Sequence, residues 1–197
     1  MGSYFDSAGV QHGFVLANGQ YTTVDYPSAA GTSLNGMNPS GEIAGSYCVT
    51  ASDCNNGITH SFILSKKDQF TSFDPPGAIS SAASNVNPSG AIVGSYTDSG
   101  GVGHGYLRDK NGTFTTIDFP GSTSTFAGYI NAGGDSVGAY TDAAGVFHSF
   151  LLSNGIFTSF DPPGAVFSDA TGINPSGVIV GFFLDSTGNA HGYIRTS

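Results

Sequence analysis

One sequence motif recurs four and a half times along this chain. A histidine marks each copy, and His12, His60, His104, His148 and His191 lie 48, 44, 44 and 43 residues apart. Periods of this size are typical of propeller blades and solenoid repeats, in which a unit buries its apolar face only by stacking on its neighbour. The repeat therefore predicts a single domain of stacked units over residues 1–197.

Each copy contains short segments rich in β-branched and aromatic residues, separated by turn signals. In the last copy, Asn-Pro-Ser-Gly at 174–177 and Asp-Ser-Thr-Gly at 185–188 are typical of tight turns between antiparallel strands. Residues 162–169 are expected to form the one longer connection of the repeat. Such a connection leads from the outer strand of one sheet to the inner strand of the next.

This pattern predicts an all-β fold, a five-bladed β-propeller of four-stranded antiparallel blades. The predicted blades cover residues 2–27, 28–77, 78–121, 122–164 and 165–197, the first without its inner strand and the fifth without its outer strand. A four-bladed ring or an open array is the alternative. Incomplete end blades leave an unpaired sheet edge, so we expect a monomer or an edge-paired dimer.

Composition argues against two classes of partner. The chain has 5 Lys and Arg residues against 14 acidic residues, giving a formal net charge of −9, whereas nucleic acids and anionic membranes attract clustered cations. No apolar run approaches the roughly 18 residues of a membrane span, and no signal peptide is recognisable. We therefore expect neither nucleic acid nor a membrane span.

The two cysteines, Cys48 and Cys54, lie in a turn that is five residues longer than its counterpart in the next copy. A disulfide closing this turn is the favoured interpretation, and two free thiols are the alternative. A structural zinc site would need a second pair of ligands. The disulfide predicts an oxidising compartment, and hence an extracellular or periplasmic location.

Two segments carry a resemblance to a known family. Residues 172–193 (GINPSGVIVGFFLDSTGNAHGY) and 85–106 (NVNPSGAIVGSYTDSGGVGHGY) are similar to bacterial extracellular repeats of the HAF type, named for a His-Ala-Phe signature. The resemblance covers nearly all of the chain, although His-Gly-Phe, His-Ser-Phe or His-Gly-Tyr replaces the signature. It implies export and a propeller-like repeat, and it assigns no catalytic residue because the family has no common activity.

The charges are predicted to separate between the two rims of the propeller. The links between blades share one rim with the turns that follow the second strands, and that rim usually carries the ligand site. Ten of the 14 acids are expected there: Asp6, Asp25, Asp53, Asp74, Asp98, Asp118, Asp142, Asp161, Asp169 and Asp185. The cations are expected toward the opposite rim: Lys66, Lys67, Arg108, Lys110 and Arg195.

The repeated aspartates and histidines favour structural roles. An Asp that opens a turn caps the backbone, although the turn aspartates (Asp6, Asp98, Asp142, Asp185) also offer oxygens suited to Ca²⁺. The link aspartates are expected to fix the Asp-x-Pro turn, and each histidine to bond within its blade to the aspartate 13 or 14 residues later. No cofactor and no metal site are predicted, since the histidines lie in separate blades.

Ligand contacts are expected where the blades differ, because a single asymmetric ligand needs only one or two blades to depart from the pattern. The departures are Tyr26, Phe119, Phe126, Tyr129, Phe167 and Asp169. Aromatic rings beside amide and carboxylate groups suit the ring faces and hydroxyls of a sugar. Ordinary packing between blades is the alternative interpretation of these residues.

Three functions remain open from sequence. The favoured one is an exported binding module for glycans or other cell-surface material, acting through the acidic rim. The second is a carbohydrate hydrolase or lyase with a carboxylate pair such as Asp169 with Asp161 or Asp118. The third is a structural scaffold without a small ligand. No catalytic residue is assigned, since Glu42 lies beside a turn on the other rim and no nucleophile elbow or P-loop is present.

Overall fold

The computed structural model describes residues 1–196, which form five antiparallel sheets in chain order. The first sheet contains β1 (Gly2–Phe5), β2 (Gln11–Ala17) and β3 (Gln20–Thr23). The second contains β4 (Gly31–Met37), β5 (Ile43–Cys48), β6 (His60–Leu64) and β7 (Phe70–Phe73). The third contains β8 (Ala78–Val86), β9 (Ile92–Asp98), β10 (Gly103–Arg108) and β11 (Phe114–Ile117). The fourth contains β12 (Ser124–Ile130), β13 (Ser136–Thr141), β14 (Phe147–Ser153) and β15 (Ile156–Phe160), and the fifth β16 (Ala165–Ile173), β17 (Ile179–Asp185) and β18 (Ala190–Arg195).

Every sheet is a meander, because strands that follow one another in sequence pair antiparallel. The turns end on a residue in the left-handed region, which glycine adopts without strain, as at Gly177 with φ 79°. The prediction of an all-β fold of antiparallel sheets is confirmed. The strands missing from the first and fifth sheets are the inner and outer strand, respectively.

The sheets stack in a row through their inner strands. β4 lies on β2, β8 on β5, β12 on β9 and β16 on β14, so each inner strand covers the face of the sheet before it. Within residues 1–196, no such packing joins the first sheet to the fifth. The five sheets therefore form an open row and not the closed ring of the predicted five-bladed propeller.

The apolar core lies between the sheets. Between the third and fourth sheets, Val93 and Ile117 form a buried cluster with Ala127, Ile130 and Phe150. Similar clusters fill the other junctions. The repeat places apolar residues on both faces of its strands because each of the three middle sheets packs against two neighbours, one on either side.

A ladder of buried asparagines links successive sheets. The side-chain amide nitrogens of Asn38, Asn87 and Asn131 donate to the backbone carbonyls of Asn87, Asn131 and Asn174, at 3.1, 3.1 and 3.2 Å. The side-chain oxygen of each of these asparagines also accepts backbone N–H groups of its own turn, as Asn87 does from Ser89 and Ala91. The first asparagine of each of these turns thus fixes the turn and a contact between sheets with one side chain.

The long connection predicted over residues 162–169 is wrong, because β16 begins at Ala165. Two β-bulges, at Ala165/Phe167 and Ala170/Gly172, allow this nine-residue strand to pair with the seven residues of β17. Phe167 and Asp169 consequently lie on an inner strand rather than in a link. Phe126, which occupies the position of Asp169 in the preceding repeat, likewise lies on an inner strand, β12.

The lengthened turn of the second sheet contains the predicted disulfide, Cys48–Cys54, with a Cα–Cα distance of 5.2 Å. The short helix α1 (Ala51–Asn55) follows Cys48 and contains Cys54. Thr50 and Asp53 form a capping box at its start, a signal that the sequence contains and the all-β expectation missed. No helix among residues 1–196 is long and apolar enough to cross a membrane.

Candidate functional site

Two of the predicted ligand-binding rings are packed between sheets. Tyr26 stacks on Tyr47 and Phe119 on Tyr140, each with ring centroids 3.7 Å apart and nearly parallel planes. Phe119 also meets Phe157 edge-on at 5.4 Å. These rings fill the first–second and third–fourth junctions, as the packing interpretation of the sequence expects.

The histidines are held by aspartates. The Nδ1 atoms of His12, His60, His104 and His148 bond to Asp25, Asp74, Asp118 and Asp161 at 2.7–2.9 Å. The predicted bond to an aspartate 13 or 14 residues later is therefore confirmed for these four. In three of them, Nε2 also approaches the preceding turn aspartate, a second contact that sequence analysis missed.

The turn aspartates also cap their own turns as predicted. Asp98, for example, accepts hydrogen bonds from the backbone N–H groups of Gly100 and Val102 at 2.8 and 2.9 Å. The bond from Val102 is the main cause that lowers the pKa of the Asp98 carboxyl. One carboxylate oxygen of Asp98 accepts these turn bonds, and the other lies 3.4 Å from Nε2 of His104. No group of three His, Cys, Asp or Glu residues suited to a metal ion occurs in residues 1–196.

Aspartate pairing changes the titration of the histidines. Burial lowers the pKa of His104, but hydrogen bonds and charge attraction from Asp118 and Asp98 outweigh burial and raise it above the ordinary value. The pKa of His148 is raised in the same way by Asp161 and Asp142. Both imidazoles are therefore more often protonated at neutral pH than a free histidine.

Two adjoining cavities form a groove near His104. One, of about 240 Å³, lies between the third and fourth sheets and is lined by His104, Asp118, Phe119 and residues 120–124. The other, of about 300 Å³, is lined by residues of the second, third and fourth sheets and shares Gly103 and Ser124 with the first. We call these two cavities together the rim groove.

Half of the residues that line the rim groove carry a hydroxyl group. The hydroxyl groups of Ser95, Thr97 and Ser124 are half-buried in the groove and make no hydrogen bond to another residue in the described part of the chain. Phe126 lies beside them with 41% of its surface exposed. Unpaired hydroxyls, an open aromatic face, and the His104–Asp118 pair are the groups that recognise a polar ligand with an apolar ring face.

The remaining predicted residues lie elsewhere. Tyr129 packs against the Val137–Ala170–Ile179 cluster, and Phe167 stacks on Phe147 at 5.1 Å. Of the six predicted ligand residues, two therefore line the rim groove, Phe119 and Phe126. The hydroxyl residues of the groove were not predicted, although the serine- and threonine-rich runs at 80–81 and 122–125 were visible in the sequence.

Asp169 is the most unusual acid of the structure. Its Oδ1 atom is buried and has no hydrogen-bond partner among residues 1–196. Burial raises the pKa of its carboxyl to about 6. Asp169 stands on β16 at the position that Phe126 occupies on β12.

Comparison with known proteins gives a fold but no family. No protein-family model matches the chain, and no curated protein is significantly similar to it. Among solved structures, TolB from Acinetobacter baumannii, a β-propeller protein, is similar with a TM-score of 0.59 and 15% identity over 92% of this chain. The chain spans 47% of that structure. Virginiamycin B lyase from Staphylococcus aureus is also similar, with a TM-score of 0.48, 12% identity, and coverage of 92% of this chain and 69% of that one.

Proposed function

We propose that this chain is a binding module of the propeller type, with its sheets acting as five blades, and that it holds a glycan in the rim groove. The observation that carries the proposal is the set of unpaired hydroxyls of Ser95, Thr97 and Ser124 beside the exposed ring of Phe126. A pyranose places an apolar face on an aromatic ring and its hydroxyls on the surrounding polar groups.

The aspartates and histidines favour binding over catalysis. Asp118 and Asp161, the two candidate partners of Asp169 in a carboxylate pair, each accept a hydrogen bond from the histidine of their own sheet. The same bond recurs in the first and second sheets, so it supports the sheet rather than a single reaction centre. By contrast, Phe126 has no counterpart, because the equivalent inner-strand positions hold Ser33, Ala82 and Asp169.

Export is part of the proposal. A disulfide persists in oxidising compartments, and the Cys48–Cys54 bond is therefore compatible with an extracellular or periplasmic location. The resemblance of the repeat to the HAF type supports the same location.

A glycan array followed by calorimetry with the best ligand tests the proposal. We expect Phe126→Ala to weaken the binding of that ligand by at least about tenfold, as truncation of a central aromatic contact does. Phe147→Ala is the matched control, because Phe147 is 42% exposed, lies in the same sheet and is outside the groove. Absence of any glycan ligand, or equal losses for the two variants, would exclude the rim groove as a glycan site.

A further inference from the structure

A further cavity, of about 340 Å³, lies between the second and third sheets at the strand ends opposite the rim groove. The second sheet lines it with Glu42 and with residues of β6 and β7. The third sheet lines it with Arg108, Lys110 and the turn of residues 88–90. Both sheets have all four strands and lie inside the row, and the cavity is large enough for a small ligand. We call it the junction cavity.

The junction cavity brings together charges of opposite sign that do not pair. Glu42 belongs to the second sheet, whereas Arg108 and Lys110 belong to the third, so the opposite charges lie on different walls. Every ion pair among residues 1–196 involves a histidine, so the carboxylate neutralises neither cation. Glu42 is the only glutamate of the chain, and two of its five Lys and Arg residues line this one cavity. Charges held apart in this way can each contact a different end of one ligand.

The carboxylate of Glu42 is held in a fixed orientation by its own turn. Its Oε2 atom accepts hydrogen bonds from Nδ2 of Asn38 at 2.7 Å and from Oγ of Ser40 at 3.5 Å. Asn38 is buried and also donates to the carbonyl of Asn87, so the carboxylate is tied to both sheets. Both bonds to the carboxylate use Oε2, which leaves Oε1 available to accept from an ammonium group.

The guanidinium of Arg108 is positioned by stacking and not by an acid. It lies over the ring of Phe73, 4.6 Å from the ring centroid, and a Cβ atom on Gly112 would lie 3.2 Å from its Nη2 atom. The Nε atom is buried and has no hydrogen-bond partner among residues 1–196. Lys110, on the same wall, is exposed. A stacked guanidinium beside a lysine is suited to a planar carboxylate.

Apolar side chains form most of the remaining lining of the junction cavity, namely Ile63, Val86, Pro88 and Ile92. Val86 and Ile92 belong to the buried cluster of this junction, and Ile63 packs against it. This surface favours a ligand with an aliphatic part. Glu42 in turn disfavours an anion of several charges such as phosphate, because like charges repel.

We propose that the junction cavity binds a small zwitterion with an aliphatic side chain, of the class of aliphatic α-amino acids. The carboxylate of the ligand contacts Arg108 and Lys110, and its ammonium group donates to Glu42. Its side chain lies on Ile63 and Val86. The site lies at the strand ends opposite the rim groove and does not depend on the function proposed for that groove.

Calorimetric titration of the purified chain with L-leucine, L-isoleucine and L-valine tests the proposal. The amino acid that binds most tightly is then compared with its N-acetyl derivative, which lacks the ammonium group, and with its amide, which lacks the carboxylate. All three compounds share the side chain. We expect saturable binding of the amino acid at a single site, and each derivative to bind at least about tenfold more weakly because one charged contact is lost.

Arg108→Leu tests the carboxylate end of the site. Leucine occupies this repeat position in the second and fourth sheets, as Leu64 and Leu152, so we expect the variant to fold, with an unchanged circular dichroism spectrum. We expect it to weaken the amino acid about tenfold. Arg195→Leu is the matched control and should leave the affinity unchanged, because Arg195 stacks on Phe160 at the same 4.6 Å but does not line the cavity.

Glu42→Gln tests the ammonium end, and it retains an oxygen that can accept from Asn38. We expect it to weaken the amino acid about tenfold and to leave the N-acetyl derivative unaffected. The proposal is overturned if none of the three amino acids binds, if the two derivatives bind as tightly as the amino acid, or if Arg195→Leu weakens binding as much as Arg108→Leu. An N-acetyl derivative that binds as tightly as the amino acid also contradicts it, since Glu42 then has no role.

Discussion

The four junctions between sheets are of two kinds that alternate along the chain. The first–second and third–fourth junctions are filled by an aromatic ring from the link, Tyr26 or Phe119. The second–third and fourth–fifth junctions hold a buried hydroxyl network, in which Ser149 bonds to Ser168 and to the hydroxyl of Tyr193. Copies of one repeat thus stack through two different kinds of contact. The sequence motif recurs in every sheet, whereas each kind of junction recurs at every second sheet.

The largest expected effect concerns the ring junction. Phe119→Ala removes contacts with Tyr140, Phe150 and Phe157, and we expect it to lower the free energy of unfolding by about 3 kcal/mol. Pro162→Ala, at the same repeat position in a serine junction, should cost less than about 1 kcal/mol. Urea unfolding of the two variants measures the difference, and equal losses would contradict the two-junction description.

The serine junction is tested by Ser168→Ala. Ser168 is fully buried and accepts a hydrogen bond from the backbone N–H of Ser149 at 2.8 Å. Its removal leaves that donor without this partner, so we expect a loss of about 2 kcal/mol. Ser186→Ala on the surface is the control and should change stability by less than about 0.5 kcal/mol. Urea midpoints for both variants decide this, and a control as unstable as Ser168→Ala would refute the assignment.

Asp169 and Phe126 occupy one repeat position in the two kinds of junction. Because burial raises the pKa of folded Asp169 to about 6, its proton stabilises the folded state at low pH, and this contribution is lost as pH rises from about 4 through 6. We therefore expect Asp169→Asn to stabilise the protein by about 1 to 2 kcal/mol at pH 8, and by less at pH 4. Thermal unfolding at the two pH values would detect this, and a pH-independent effect would contradict it.

The smallest expected effect concerns His104 and His148, and it should be equal in the sheets that precede the two kinds of junction. The raised pKa values of His104 and His148 mean that each protonated imidazole stabilises the fold below about pH 6.5, and that this is lost as pH rises through the folded pKa. We expect His104→Gln and His148→Gln each to remove about 0.5 kcal/mol of this pH dependence, allowing for solvent screening. Unequal changes in urea midpoints between pH 6 and 8 would show that the junction type also affects the histidine.

The repeat made most of the fold predictable. Turn residues at fixed positions, such as those of 174–177, marked the hairpins, and the missing inner and outer strands followed from counting segments. The prediction of a closed ring was wrong, because closure depends on the angle between packed sheets, and the sequence of a single repeat does not determine that angle. The early start of β16 was missed because two β-bulges allow the residues directly after Pro163 and Gly164 to join the strand. β-bulges have no simple sequence signal.

The site was less predictable than the fold. Tyr26 and Phe119 stood out as departures from the repeat, but sequence analysis missed that each ring occurs in a copy whose histidine is followed by glycine, Gly13 or Gly105. The rim groove was missed because its hydroxyls become a site only when residues of three sheets meet. Comparing the copies in sequence detects the positions at which they differ, whereas this groove depends on how the sheets stack.

The asparagine ladder gives the row of sheets a polarity. Each side-chain amide donates toward the later repeat, and each asparagine carbonyl from Asn87 onward accepts from the earlier one. A repeat duplicated within the gene would arrive with its own donor and its own acceptor, so lengthening the row would break no bond in the ladder. The ladder can therefore be extended by whole repeats without loss of a hydrogen bond, whichever kind of junction follows.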